Sequence, residues 1–263
     1  MMKETAVLAA KEAARIIKKH VGKISQANID LKRKFDYVTR ADHESEKKII
    51  EVIRARCPDH KIYAEESIKD GPGGYRWLID PLDGTTNYIH AYPIYSVSIA
   101  LEHDGEIILG VVYDPTRDEM FIAEKGKGAT LNGDPIKVST IDDPAMSLVL
   151  TGFPFRSKKM VDLYLSSFKK IFARASDIRR DGSAALDFCA IACGRADAFW
   201  EIGLSPWDVA AGYLMISEAG GMMTDFFGKK NPLWTGNVVA SNGILHPWIL
   251  ADVQETFAGH IDG

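Results

Sequence analysis

The chain has 263 residues and a mass of 29.1 kDa; with 46% hydrophobic, 26% charged and 10% aromatic residues it is neither a disordered tail, nor a collagen-like fibre, nor a disulfide scaffold. Its 32 Lys and Arg stand against 36 Asp and Glu, a net charge of −4, so no global positive field is present to hold nucleic acid. Three cysteines, Cys57, Cys189 and Cys193, form an odd count with no paired spacing, which points to a reducing, cytoplasmic compartment, and no apolar run approaches the length of a membrane span.

The opening segment repeats apolar residues at Met2, Ala6, Ala9, Ala13 and Ile16 or Ile17, the period of a helix with one buried face. Charges run through it and no small-residue cleavage site follows, so this helix is expected to stay on the protein. A second helix is predicted from about Arg40 to Arg56, capped by Thr39, with Ile49, Ile50 and Ile53 inward and Cys57-Pro58 ending it. KIYAEES, from Lys61, reads as a short strand running into an acidic pair. After the breakers Asp70 to Gly74, YRWLID reads as a buried strand that meets a turn at Asp80-Pro81. Tyr95 to Val138 reads as an antiparallel sheet with turns at Asp104-Gly105 and Asn132-Gly133. Asp142-Asp143-Pro144 is the best boundary, giving an α+β first lobe over residues 1–141 and a layered α/β second lobe over 142–263. In the second lobe, strands near Ser147, Ile178, Asp197, Met222 and Val238 alternate with helices from about Lys158, Ser183, Trp207 and Pro247.

The densest chemical signal is Asp80-Pro81-Leu82-Asp83-Gly84-Thr85-Thr86-Asn87. A turn lets the two carboxylates converge although they are three residues apart, and a converging pair repels and calls for a cation. Gly84 admits close approach of the backbone, and Thr85 and Thr86 offer hydroxyls and amides that can face an anion at a helix start. Those are the parts that phosphoryl hydrolysis requires. An Asx turn with a helix cap is the plain alternative. Glu65-Glu66 equally fits a solvated surface, and Asp42 and Asp208, each at a predicted helix start, equally fit capping. Carboxylates from separate segments suit Mg²⁺ better than zinc, and no His or Cys cluster at zinc spacing competes.

WLIDPLDGTTNYIHAYPIYSVS, from Trp77 to Ser98, resembles the first signature of the inositol monophosphatase family, and WDVAAGYLMISEAGG, from Trp207 to Gly221, resembles its second. Val38-Thr39-Arg40-Ala41-Asp42 and Ala64-Glu65-Glu66-Ser67 match family segments upstream, so the resemblance runs in order along the whole chain. It implies an alternating αβαβα sandwich, a homodimer, and Mg²⁺-dependent, lithium-sensitive hydrolysis of a small phosphate monoester by metal-activated water without a covalent intermediate. Position by position, it makes Glu65, Asp80 and the main-chain carbonyl of Leu82 ligands of one Mg²⁺ and Asp80, Asp83 and Asp208 ligands of a second, with a third ion in some members on the Glu65 side. Asp42 and Thr85, beside Glu65, then activate the water, and Gly84, Thr85 and Thr86 hold the phosphate. Glu65, Leu82, Asp83 and Asp208 touch substrate as well as metal. Gly182, Ser183 and Ala184 line the substrate pocket, and Glu201 accepts ring hydroxyls. In bacterial-type members Arg179, Arg180 or both reach the substrate, and a subunit contact is the equal alternative for this arginine pair.

RRDGSAALDF and SPWD depart from the pattern of animal members, so the chain resembles a prokaryotic type, in which the substrate range is often broad. Myo-inositol monophosphate is the leading substrate, with fructose 1,6-bisphosphate or a nucleotide 3′-phosphate as alternatives. An alternative of another class is an accessory factor that binds protein or RNA on the same scaffold, with Arg33, Lys34, Arg179 and Arg180 as its basic surface. Cys189 and Cys193, four apart on one helix face, read as small buried hydrophobes; Met215, Met222 and Met223 read as core filling, and Trp234 and Trp248 as packed against sheet.

Overall fold

The computed structural model describes residues 1–23, 29–33, 36–154 and 158–261, with 29–33 and 36 described by backbone alone. Helix α1 (Met2–His20) buries an alanine-rich stripe, Ala6, Ala9, Ala10, Ala13 and Ala14 with Ile17. Small side chains let it lie close on α2 (Arg40–Arg56), whose Ile49 and Ile53 face the same core. Between them in the chain β1 (Ile29–Arg33) and β2 (Asp36–Thr39) pair antiparallel, a ribbon not among the elements expected from the sequence. Strands β3 (Lys61–Ala64), β4 (Tyr75–Asp83), β5 (Ser96–His103), β6 (Glu106–Asp114), β7 (Glu119–Glu124), β8 (Gly128–Leu131) and β9 (Asp134–Ile136) form one sheet in chain order, parallel only between β3 and β4. The short helix α3 (Thr85–Ile89) follows β4. The expected turns at Asp104-Gly105 and Asn132-Gly133 connect β5 to β6 and β8 to β9.

After a 3₁₀ turn at Pro144–Met146 come β10 (Leu148–Thr151), α4 (Val161–Phe172), β11 (Asp177–Arg179), α5 (Ala184–Ala192), β12 (Ala198–Ile202), α6 (Pro206–Glu218), β13 (Met222–Thr224), β14 (Asn237–Ser241) and α7 (His246–Phe257). Their sheet runs β11-β10-β12-β14-β13, parallel around β10 and antiparallel on either side of β14.

Five layers result: α1 with α2, the first sheet, α5 with α6, the second sheet, and α4 with α7. Strand periodicity fills them. On β4, Trp77 and Ile79 enter the core beneath α1 and α2, while Leu78 enters the core shared with α5 and α6. On β12, Phe199 faces that shared core, and Ala198 and Trp200 face the one beneath α4 and α7. Both faces of each sheet are covered, so these strands read as continuous apolar runs. This is the αβαβα sandwich expected from the sequence. Among the described residues no helix is long and apolar enough to cross a membrane.

Two packing expectations are corrected. Trp234 is 56% exposed, standing edge-on to Tyr63 at 5.6 Å beneath the Arg76 guanidinium, and Met222 is 40% exposed because it opens a short edge strand. Met215, Met223 and Cys189 are buried as expected. Phe199 is fully buried and meets Phe188 of α5 edge-on at 4.9 Å. Phe199→Ala is therefore expected to lower unfolding free energy by about 3–5 kcal/mol in urea titration, through lost burial and the cavity left between α5 and the second sheet.

Candidate active site

Asp80 and Asp83 sit three residues apart on β4, and in a regular strand they would face opposite sides of the sheet. The β4–β5 register shows why they do not. Asp80 pairs with Ser98 and Asp83 with Ser96, so three steps on β4 match two on β5 and one extra residue is accommodated as a bulge. Pro81 falls inside it, where no ladder N–H is needed. Both carboxylates consequently share the face of Leu78, toward α5 and α6. Gly84 follows with φ +90°, and an added Cβ there would stand 2.9 Å from the Ile94 carbonyl oxygen and 3.3 Å from that of Gly182.

The other acidic residues are delivered by helix starts and a strand end. Asp42 is fully buried in the first turn of α2, where its Oδ2 accepts from the Thr39 amide at 2.9 Å and the Thr39 hydroxyl at 2.6 Å. Its Oδ1 accepts from the Thr85 hydroxyl at 3.2 Å, and that hydroxyl also lies 3.1 Å from the Leu82 carbonyl. Capping and site placement are thus the same fact. Asp208 repeats the pattern in α6, its Oδ2 accepting from the Ser205 amide at 2.7 Å. Glu65 leaves β3 with its amide bonded to the Ile79 carbonyl at 3.0 Å, while the next amide, of Glu66, donates to Glu46 of α2 at 2.6 Å. Asp83 Oδ2 accepts from the Ser183 hydroxyl at 2.5 Å and the Ala185 amide at 2.9 Å, which ties β4 to the start of α5.

A cavity of about 560 Å³ collects these groups. Glu65, Asp80, Leu82, Asp83, Gly84, Thr85, Thr86, Gly182, Ala184, Glu201 and Asp208 line it; Asp42 and Ser183 stand behind the wall, bonded to Thr85 and Asp83. Arg179 does not reach it. As the last residue of β11, it turns to a second cavity with Arg117 and Arg195, pairs with Asp177, and leaves the first cavity to Arg180, because successive side chains of an extended chain point opposite ways. Lys34 and the side chain of Arg33, the remaining members of the expected basic surface, lie outside the described residues.

The sequence reading missed Tyr37, Gly152, Phe153, Pro154, Lys158, Val161, Asp187 and Leu204, which complete the wall. Gly152 follows β10 beneath Glu201, and a Cβ there would fall 2.0 Å from the Glu201 carboxyl carbon, so a larger residue would displace that carboxylate. Two signals were available in the sequence: a Gly-Phe-Pro loop after a parallel strand, where open sheets bind ligands, and a lone carboxylate in the apolar helix AALDFCAIA.

Burial, then the charges of Glu65, Asp83 and Asp208, push the Asp80 carboxyl well above the usual range. Asp83 is pushed up to about 6 by burial, against the opposing hydrogen bonds from Ser183 and Ala185. Among the described residues no three His, Cys, Asp or Glu side chains converge closely enough to hold an ion as they stand. The donor set nonetheless fits a hard divalent cation: crowded carboxylates from β3, β4 and α6, joined by a main-chain carbonyl and uncontested by Cys or His.

Because Asp83 ionises at a higher pH folded than unfolded, its protonated form contributes stability that is complete below about pH 4 and is lost as pH rises through about 6. With chelator present, urea titrations should show the wild type losing about 1–2 kcal/mol relative to Asp83→Asn across that window, after allowance for solvent screening through the cavity, and no further relative loss above it.

The inositol monophosphatase family model matches residues 1–257. The Nus factor SuhB of Escherichia coli K12 is 43% identical over 256 residues, covering 97% of this chain and 96% of that one. Among solved structures, the extragenic suppressor protein suhB of Bartonella henselae superimposes with a TM-score of 0.92 at 37% identity and 99% coverage of both chains. The inositol monophosphatase of Anabaena gives 0.86 at 39% identity, covering 96% of this chain and 94% of that one. The match spans both carboxylate-bearing halves of the cavity, and the chain belongs to the inositol monophosphatase family, whose members are generally metal-dependent phosphatases.

Proposed function

We propose that this protein hydrolyses a small polyol phosphate monoester, myo-inositol monophosphate first among them, with Mg²⁺ as cofactor. The observation that carries the reading is the bulge on β4, which turns Asp80 and Asp83 into one cavity with Glu65 and Asp208. Glu65, Asp80, Asp83 and Asp208, with the Leu82 carbonyl, are the groups to hold two or three ions. Bound there, Mg²⁺ supplies charge neutralisation of the phosphoryl group and a water ionisable near neutral pH. Thr85, whose hydroxyl donates to buried Asp42, would accept a hydrogen bond from the attacking water and orient it beside Glu65, and the water's proton would pass to the Thr85 hydroxyl as that hydroxyl gives its own to Asp42. Gly84, Thr85 and Thr86 donate N–H and O–H bonds to phosphate. Glu201, seated on Gly152 at the far side of the cavity, accepts hydroxyls of the leaving alcohol, beside Gly182, Ser183 and Ala184. Residues 1–141 and 142–263 are assigned as two lobes that close this cavity between them.

The test is a panel of inositol monophosphate, fructose 1,6-bisphosphate, 3′-phosphoadenosine 5′-phosphate and phenyl phosphate, compared by kcat/KM with and without chelator. Tyr37 and Phe153 in the wall are the reason for including the nucleotide. Chelation should abolish turnover, and Li⁺ should suppress it by competing for one metal position. Asp83→Asn should lower kcat by roughly a hundredfold or more by removing charge from the metal set, whereas Glu201→Gln should mainly raise KM for polyol substrates. Near-normal kcat in Asp83→Asn would remove the metal mechanism.

A second reading is favoured by the E. coli relative, which is named a Nus factor. An accessory partner-binding role for this chain predicts that the Asp80→Asn/Asp83→Asn double variant loses phosphatase activity yet retains the same partners in pull-downs from extract. Loss of both together would tie binding to the active site. The chain is also proposed to be a cytoplasmic homodimer, and sedimentation at micromolar protein should give twice 29.1 kDa.

A further inference from the structure

Asp187 lies one turn into α5, on the same side as Ala184, and both line the catalytic cavity. It is 3% exposed and is the only charged residue in that helix, whose other residues are apolar. Its amide continues the helix to the Ser183 carbonyl at 3.0 Å, but its carboxyl has no hydrogen bond or ion pair among the described residues. Helix packing alone supplies no reason for a buried carboxyl with no donor, since an apolar side chain of similar size costs less there. Facing a cavity, such a group is an acceptor held ready for a ligand.

The surroundings define the ligand. Burial, and then the charges of Asp181, Glu201 and Asp83, push the Asp187 carboxyl well above its usual range, with Arg180 opposing. An acidic wall repels a phosphate, which already has the donors of residues 84–86. It accepts hydroxyl hydrogens, and Asp187 shares the cavity with Glu201, the proposed acceptor of ring hydroxyls. We propose that Asp187 is a specificity-determining residue of the alcohol subsite, receiving, together with Glu201, the hydroxyls of a polyol leaving group. The inference rests on the polyol phosphatase reading above and adds a second acceptor to it.

The test compares full-length wild type, Asp187→Asn and Asp187→Leu, with inositol monophosphate and phenyl phosphate as substrates at saturating Mg²⁺. Asp187→Leu is expected to raise KM for inositol monophosphate about tenfold with little change in kcat, and to leave phenyl phosphate within about twofold. Asp187→Asn, which keeps an acceptor oxygen, should fall between. Without substrate, the Tm of Asp187→Asn should equal or exceed that of wild type, because an uncompensated buried carboxyl has been replaced by a neutral amide. Equal losses on both substrates, a lowered Tm for Asp187→Asn, or a raised Mg²⁺ requirement would each overturn the proposal in favour of a structural or metal-holding role. A wild type that prefers inositol monophosphate over phenyl phosphate, with the preference intact in both variants, overturns this inference alone; a wild type that cleaves only phenyl phosphate overturns the polyol reading itself.

Discussion

Mutual repulsion among carboxylates is the constraint around which this molecule is arranged. Asp80 carries the charges of Glu65, Asp83 and Asp208 close by, in a place where burial already disfavours ionisation. Left to themselves such groups would turn apart toward water. Asp80, Asp83 and Asp208 are instead each fixed by hydrogen-bond donors: the Leu82 amide of its own strand for Asp80, the start of α5 for Asp83, and the Ser205 cap of its own helix for Asp208. The fold holds these carboxyl groups together at the expense of its own stability, a cost that a bound cation would relieve.

Layering makes that possible. Helices α5 and α6 are packed from both sides, by the first sheet and by the second, so their N-termini have little freedom to move when Asp83 and Asp208 strain against their neighbours. The buried Arg76–Glu102 pair on β4 and β5, at 2.6 Å, stiffens the same sheet far from the site. Rigid elements meeting at one cavity give its polar groups defined positions, which is what selective binding of a transition state needs.

Legibility in the sequence followed the range of the interactions. Thr39 and Asp42 form a capping box over four residues, so the start of α2 was readable from the chain alone, as was the hairpin at Asp104-Gly105. The family resemblance then supplied which carboxylates matter. What it did not supply depends on partners distant in sequence. Gly152 leaves room for the carboxylate of Glu201, forty-nine residues later, which lies against it. Arg179 and Arg180 are chemically interchangeable in the sequence, and only the parity of β11 decides which of them faces the cavity. Trp234 looks like core until the short helical turn that carries it is seen at the surface. In each case the deciding contact is made by tertiary structure and leaves no local periodicity.

The bulge between Asp80 and Asp83 has a consequence for how this segment can change through mutation. It works as a count: one residue more than the facing strand restores the side that three ordinary steps would reverse. Substitution within the count leaves both carboxylates facing the cavity, so the identity of Leu82 is open to exchange among side chains that fit the apolar side beneath α1 and α2, provided its carbonyl stays in place. Loss or gain of a single residue is different in kind. It would send one carboxylate to the apolar side of the sheet, among Ile79, Val97 and Tyr88. The segment is therefore expected to tolerate changes of letter far better than changes of length.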